Sequence, residues 1–149
     1  MGTIYFDDLT EGRVLNCRPV VFTKAEIVEF AKTFDPQPFH VDEAAAERSI
    51  FKGLVASSLH TLSACTRAVV EAQGKLAVLS GIGIHEVNMY CPVRPGDTLI
   101  VKAFWSRLER SKSRPDRGAA SIMCEVFNQK HDKVITHGYR YILACRPSC

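Results

Sequence analysis

The sequence predicts an α+β fold in which a curled antiparallel sheet wraps around one long buried helix. Three observations carry that expectation. A run from 54 to 72 (LVASSLHTLSACTRAVVEA) keeps apolar residues at 55, 59, 62, 65, 69 and 72 and holds no Asp, Glu, Lys or Arg through residue 66. After it the hydrophobic period changes from helical to two, over 79–91, 98–109, 118–129 and 133–145. The connections between these stretches are turns by composition, so the strands read as an antiparallel meander.

Each element has its own reason. Residues 13–22 (RVLNCRPVVF) are rich in β-branched and apolar side chains and read as a strand, which Pro19 assigns to an edge or a bulge. Thr23 and Glu26 form a capping box; behind it Ile27, Phe30, Ala31 and Phe34 fall at helical spacing, giving an amphipathic helix over 24–34. Pro36 forbids its continuation, so Asp35 lies just past a helix C-terminus and 35–40 cannot be helical. Residues 42–49 make a short helix with Asp42 as its N-cap. Gly53 opens the long helix, which at 54–72 spans roughly 28 Å, and Gly74 ends it. A helix this free of charge is expected to be buried on most sides. Alternation in the strands is clearest at Ala120/Ile122/Cys124/Val126 and Ile135/His137/Tyr139/Tyr141/Leu143.

Composition narrows the function classes. With 149 residues, 46% hydrophobic and 23% charged, the chain reads as one globular domain over 1–149. A net charge of +3 gives no reason to expect nucleic acid or a membrane surface as partner. The N-terminus lacks the basic-then-apolar pattern of a signal peptide, and no apolar run approaches the roughly 20 residues that cross a bilayer, so a cytoplasmic protein is expected. Six cysteines (17, 65, 91, 124, 145 and 149) include no Cys-x-x-Cys pair and read as reduced thiols, with Cys149 the exposed one. No metal site is expected, because ligand spacing is missing. Gly81-Ile82-Gly83-Ile84-His85 lacks a third glycine and leads into a strand, so it is not a dinucleotide loop.

The chemistry concentrates at Asp35-Pro36-Gln37-Pro38-Phe39-His40. Two prolines in three residues restrict the backbone before folding begins, so the carboxylate and the imidazole start from few positions. Asp with His is the usual pair for moving a proton at neutral pH. A proline-stiffened turn capped by Asp35 is the plain alternative.

Continuing through Val41-Asp42-Glu43-Ala44-Ala45-Ala46 and Phe51-Lys52-Gly53-Leu54-Val55-Ala56-Ser57-Ser58-Leu59-His60-Thr61, the chain resembles the MaoC-like acyl dehydratases, the (R)-specific enoyl-CoA hydratase branch of the hotdog-fold superfamily. Gln37 stands where that family more often has Asn. The resemblance runs through nearly the whole chain, including Pro92–Thr98 and Ser113–Gly118, which look like the family's hairpins. It implies that 23–52 overhangs the sheet and carries the chemistry. Asp35 and His40 then hold one water against the double bond of a 2-enoyl thioester, delivering oxygen at C3 and a proton at C2. It further implies that the Gly53 amide, at the positive end of the helix dipole, receives the thioester oxygen; a tight turn is the alternative use for that glycine.

Other candidates are weaker. Ser57 and Thr61 bring hydroxyls that can meet substrate, although bonds back to the carbonyl four residues earlier are expected for at least two of Ser57, Ser58 and Thr61. His60 reads as a satisfied core or interface histidine. Lys112, Arg114 and Arg117 at one hairpin tip read as a solvated turn or as contacts for coenzyme A phosphates. The expected substrate carrier is coenzyme A or acyl carrier protein, with no cofactor beyond coenzyme A itself, in a homodimer or dimer of dimers. Two other readings are an acyl-CoA thioesterase and a non-catalytic acyl-thioester-binding subunit; the lack of any carboxylate in 54–70 counts against the thioesterase.

Overall fold

The structure is a computed structural model and describes residues 2–148; Cys149, expected to be exposed, lies outside them. After a 3₁₀ turn at Phe6–Asp8, the expected first strand forms as two pieces, β1 (Val14–Asn16) and β2 (Val20–Val21). Pro19 sits between them and has no amide to give a ladder. Thr23 caps α1 (Lys24–Phe34): its hydroxyl accepts the Glu26 amide at 3.2 Å, and the Glu26 carboxylate accepts the Thr23 amide at 3.3 Å. Ile27 and Ala31 turn inward from this helix.

The next stretch departs from expectation. Residues 35–40, expected to exclude helix, contain the start of one helical turn, α2 (Pro38–Val41). Pro38 occupies the first helical position, where its missing amide costs nothing and its fixed φ already suits a helix. Asp42 follows and caps α3 (Glu43–Arg48), accepting the Ala45 amide at 2.7 Å.

The long helix, α4 (Ser58–Gln73), begins later than the sequence suggests. Residues 54–57 stay extended because they bond elsewhere: the Val55 amide donates to Phe39 O at 3.2 Å and the Ala56 amide to Val93 O at 2.8 Å. Ser57 is the N-cap, accepting the Leu59 amide on its hydroxyl at 3.2 Å. Only one stripe of α4 is buried, formed by Thr61, Cys65, Ala68, Val69 and Gln73. Leu59 is 53% exposed and Val70 50% exposed, against the expected burial on most sides. On this helix Ser63 and Thr66 bond the carbonyls of Leu59 and Leu62, so freedom from charge reflects self-satisfied hydroxyls rather than burial all round. Among the described residues no helix is long and apolar enough to cross a membrane.

The sheet is completed by β3 (Val78–Met89), β4 (Thr98–Arg110), β5 (Arg117–Phe127) and β6 (Lys133–Ala144), all paired antiparallel. Its order is β1-β4-β5-β6-β3, with β2 also on β4. A continuous meander was expected; β4, β5 and β6 form one, but β3 pairs with β6 and not with β4. The 90–97 connection, carrying Pro92 and Pro95, therefore crosses the end of the sheet instead of closing a hairpin. The buried face of the sheet supplies Leu99, Ile122, Val126, Ile135 and Leu143, which share a core with Phe22, Ile27 and Val69. Cys65 and Cys124 are buried free thiols, and burial pushes both up to about 12.

Strand β3 is an outer edge with Leu79, Ile82, Ile84 and Met89 all exposed. Its pairing with β6 shifts register three times, the last between His85 and Asn88, where Glu86 has φ +51°. Such a shift on an edge strand marks a bulge.

Candidate active site

Three elements bring the site together. The C-terminus of α1 places Asp35, whose own amide caps the helix by donating to Ala31 O at 2.8 Å. The α2 turn places His40, and the extended stretch before α4 supplies Val55 and Ser57. The pairing of Val55 with Phe39 in the backbone holds the last two together.

His40 is buried, and its Nδ1 lies 2.6 Å from the Val55 carbonyl oxygen. A carbonyl can only accept, so Nδ1 carries a hydrogen and Nε2 is directed to the site. Nε2 lies 3.4 Å from Asp35 Oδ2. The carboxylate is held from both sides: the Gln37 amide donates to Oδ1 at 2.9 Å and the Ser57 hydroxyl to Oδ2 at 2.6 Å. The Ser57 hydroxyl first, then the Gln37 amide and His40, pull the Asp35 carboxyl below its ordinary value. Asp35 is therefore ionised at neutral pH while a fifth of its side chain stays open to solvent.

A cavity of about 510 Å³ opens over this pair. Phe39, Phe51, Leu59, Met89 and Tyr90 form its apolar sides, and Ser58 stands at the first turn of α4. Arg94 fixes part of the rim by donating from Nη2 to the Phe51 carbonyl at 2.6 Å.

The other predicted residues fall differently. Gly53 does not open the helix, and its amide donates to Ala46 O at 3.1 Å, so that amide is engaged in the overhang itself. Its glycine character has another reason, a φ of +155° that L side chains rarely adopt. The helix N-terminus that faces the cavity belongs to Ser58, a residue singled out from sequence only for its hydroxyl. Ser57 is fully buried and its hydroxyl is used twice, on Asp35 and on the Leu59 amide, so it positions the carboxylate. Thr61 bonds back to Ser57 O at 3.4 Å and lines a separate small cavity. Of Ser57, Ser58 and Thr61, this is the one bond to the carbonyl four residues earlier among the described residues, where at least two were expected. His60 packs 4.7 Å from the rings of both Phe22 and Phe30, but its Nδ1 has no partner among the described residues, so it is packed rather than satisfied.

Lys112, Arg114 and Arg117 lie in and beside the β4–β5 turn, at the opposite end of the sheet from Met89 and Lys133. Ten residues of β5 separate that turn from the site end, roughly 33 Å. Within one protomer these three cations do not reach Asp35 and His40, and Arg117 is paired with Asp116 through two bonds of 2.9 Å. Gln37 and the Val55 carbonyl are the functional groups that sequence reasoning missed. Gln37 sits between the two prolines and could have been read as a partner for Asp35; the Val55 carbonyl left no local signal.

Comparison with known proteins agrees with this architecture. The model of the MaoC like domain matches residues 7–122. A Bacillus subtilis protein, YdeM, is 31% identical over 132 residues, covering 86% of this chain and 90% of its own. The crystal structure of the MaoC-like dehydratase from Rhodospirillum rubrum superposes with a TM-score of 0.88 at 35% identity, covering 97% of this chain and 99% of that one. The R-hydratase PhaJ1 from Pseudomonas aeruginosa, at 22% identity and a TM-score of 0.74 over 97% of this chain and 87% of that one, shares the fold. A curled antiparallel sheet with α4 packed against it is the hotdog fold, and the chain belongs to the MaoC-like domain family.

Proposed function

We propose that the protein is a hydratase/dehydratase that adds water across the double bond of a 2-enoyl thioester, or removes it in reverse. The observation that carries this reading is the His40 ring, held by the Val55 carbonyl so that Nε2 faces the Asp35 carboxylate across 3.4 Å in an open cavity. A water held between Nε2 and Oδ2 has its oxygen lone pair free for C3. As the O–C3 bond forms, the water proton passes to Nε2 and the π electrons move towards C2 and the thioester oxygen. Nε2 then returns that proton to C2. Asp35 stays ionised and stabilises the transient imidazolium, which is the division of labour its lowered carboxyl favours.

The thioester oxygen gains charge in this step and needs a donor. The first amides of α4, at Ser58, are the donors best placed for it, in place of Gly53. The reaction asks for no cofactor beyond the coenzyme A, or acyl carrier protein, that bears the acyl group. The name of the 35% identical Rhodospirillum rubrum protein, a dehydratase, supports the same reaction class.

The exposed apolar edge of β3 is taken to pair with β3 of a second copy, in a homodimer or a pair of such dimers. Antiparallel pairing of the two edges would set the partner's β4–β5 turn at the site end of this protomer. Lys112, Arg114 and Arg117 are then placed for coenzyme A phosphates across the interface and not within a chain. Sizing with light scattering at micromolar concentration gives a dimer or larger; a monomer removes this part.

Turnover of 2-butenoyl-CoA tests the function. Loss of the enoyl absorbance without free thiol is the expected result. Thiol release without hydration would make the protein a thioesterase, and binding with neither would make it a non-catalytic subunit.

A further inference from the structure

We propose that Arg94 is a positioning residue for the reaction: it ties the strap 49–53 to the end of the sheet and so holds the aromatic wall beside His40. This rests on the hydratase reading above and adds to it a residue outside the Asp–His pair.

The strap lies between α3 and the extended stretch 54–57, and it carries Phe51 into the side of the 510 Å³ cavity. Its own hydrogen bonds are local. The Ser49 and Gly53 amides donate to Ala46 O at 3.0 and 3.1 Å, and the Lys52 amide to Ser49 O at 3.2 Å. Ile50 is 90% exposed and adds little packing. Lys52 holds φ at +55°, an unfavourable value for a residue with a side chain. A strained segment keeps such a shape only where its surroundings hold it.

Among the described residues, one hydrogen bond reaches the strap from outside the overhang: Arg94 Nη2 donates to the Phe51 carbonyl at 2.6 Å. A charged donor makes this bond stronger than a neutral one would be. Arg94 also has a firm base. Its amide donates to Asp97 Oδ2 at 2.8 Å, Asp97 Oδ1 accepts from Gln129 Nε2 at 2.8 Å, and the Gly96 amide donates to Phe22 O at 2.7 Å. The 90–97 connection is thereby fastened to the end of β2 and to the β5–β6 turn.

From Phe51 the contacts run on to the site. Its ring packs 5.2 Å from Phe39, and Phe39 stands edge-on to His40 at 4.6 Å. All three line the cavity and Arg94 does not, so Arg94 acts through the strap. A strap that drifts takes the Phe51 ring with it and lets water in against His40. Misplacement by about 1 Å can cost roughly 10²-fold in rate.

The test uses Arg94→Met, which keeps an apolar stem without the donors, and Arg94→Lys, which restores a charged donor. Arg94→Gln replaces the first if it does not fold. Each is assayed on 2-butenoyl-CoA and on 2-butenoyl-pantetheine, which has no phosphate. Arg94→Met is expected to lower kcat roughly tenfold on both substrates with KM changed by less than about threefold, and Arg94→Lys to recover most of the loss. The His40 ring resonances, followed by NMR without substrate, should move in Arg94→Met and return in Arg94→Lys. A fall confined to the coenzyme A thioester would make Arg94 a phosphate contact and overturn the proposal. Unchanged kcat or unmoved His40 resonances would also overturn it, even with a lower unfolding temperature. If the parent hydrates no enoyl thioester, the hydratase reading falls and the His40 resonances decide alone: moved, they keep Arg94 as the residue that holds the wall; unmoved, they remove it.

Discussion

Two buried histidines, His40 and His137, show what burial does with and without partners. Both are nearly inaccessible. His40 has a carbonyl on one nitrogen and a carboxylate facing the other. His137 has no partner on either nitrogen among the described residues, and burial drives it down to about 4. The first is a ring whose tautomer and direction are fixed and whose charged form has a counter-ion. The second is a ring kept neutral by its surroundings. Desolvation alone makes a titratable group inert; a partner on each nitrogen makes it usable.

The sharpest way to break the comparison is to remove the partners at the site. His40→Gln keeps an amide but cannot shuttle a proton, and Asp35→Asn keeps the shape without the charge. Each is expected to lower kcat by roughly 10²- to 10⁴-fold. The double variant should be little worse than the poorer single one, because two groups acting on one water work as a unit. Near-normal hydration by both single variants would remove the Asp–His assignment.

The inert histidine should appear in stability and not in rate. The unfolded chain protonates it near 6.5 and the folded chain near 4. Its contribution is therefore complete above about pH 6.5 and lost as pH falls towards 4, by about 3 kcal/mol. The neighbouring groups Cys124 and Tyr139 are raised by burial and stay neutral over that range. His137→Leu should flatten this part of the curve of unfolding free energy against pH, measured by denaturant titration between pH 4 and 7. An unchanged slope would mean that His137 is not the buried group that titrates.

Smaller effects separate the two holders of Asp35. Ser57→Ala removes a bond to a charged group and should lower kcat roughly tenfold. Because that bond holds the carboxyl down, its loss should raise the pH at which Asp35 takes up a proton, followed by NMR of the carboxyl carbon. Gln37→Ala acts in the same direction and less, by about threefold, since its bond is exposed. The reverse order of the two shifts would mean that Gln37, not Ser57, sets the carboxyl.

Much of this was legible from the sequence, and the misses have physical causes. The capping box, the Asp42 cap and the strand positions are local signals and came through, and Asp35 and His40, close in sequence, are also close in space. Gly53 drew the start of the helix too early because a charge-free run hides its N-cap among small residues; Ser57 was there to be read. Pro38 reads as a breaker in a sequence with Pro36 two residues before it, although proline also starts helices. Which strand lies beside which is not local, so β3 on β6 had no signature. The Val55 carbonyl was invisible for the same reason: it meets His40 only after the extended stretch has docked on the overhang.

The two borders of the sheet are unequal, and this sets how far strand addition can go. One border is the twelve-residue β3 with its apolar side chains exposed. The other is broken at Pro19 into pieces of three and two residues. A long, sticky border on both sides would let copies add without end, as in a fibril. In the dimer proposed above, the good border would be used once, by its own equivalent, and the complex would show only poor borders to the outside. On that proposal the proline in the first strand would work as a chain terminator for polymerisation, and the three register shifts in β3 would act with it by refusing any long, flat strand that is not matched to them.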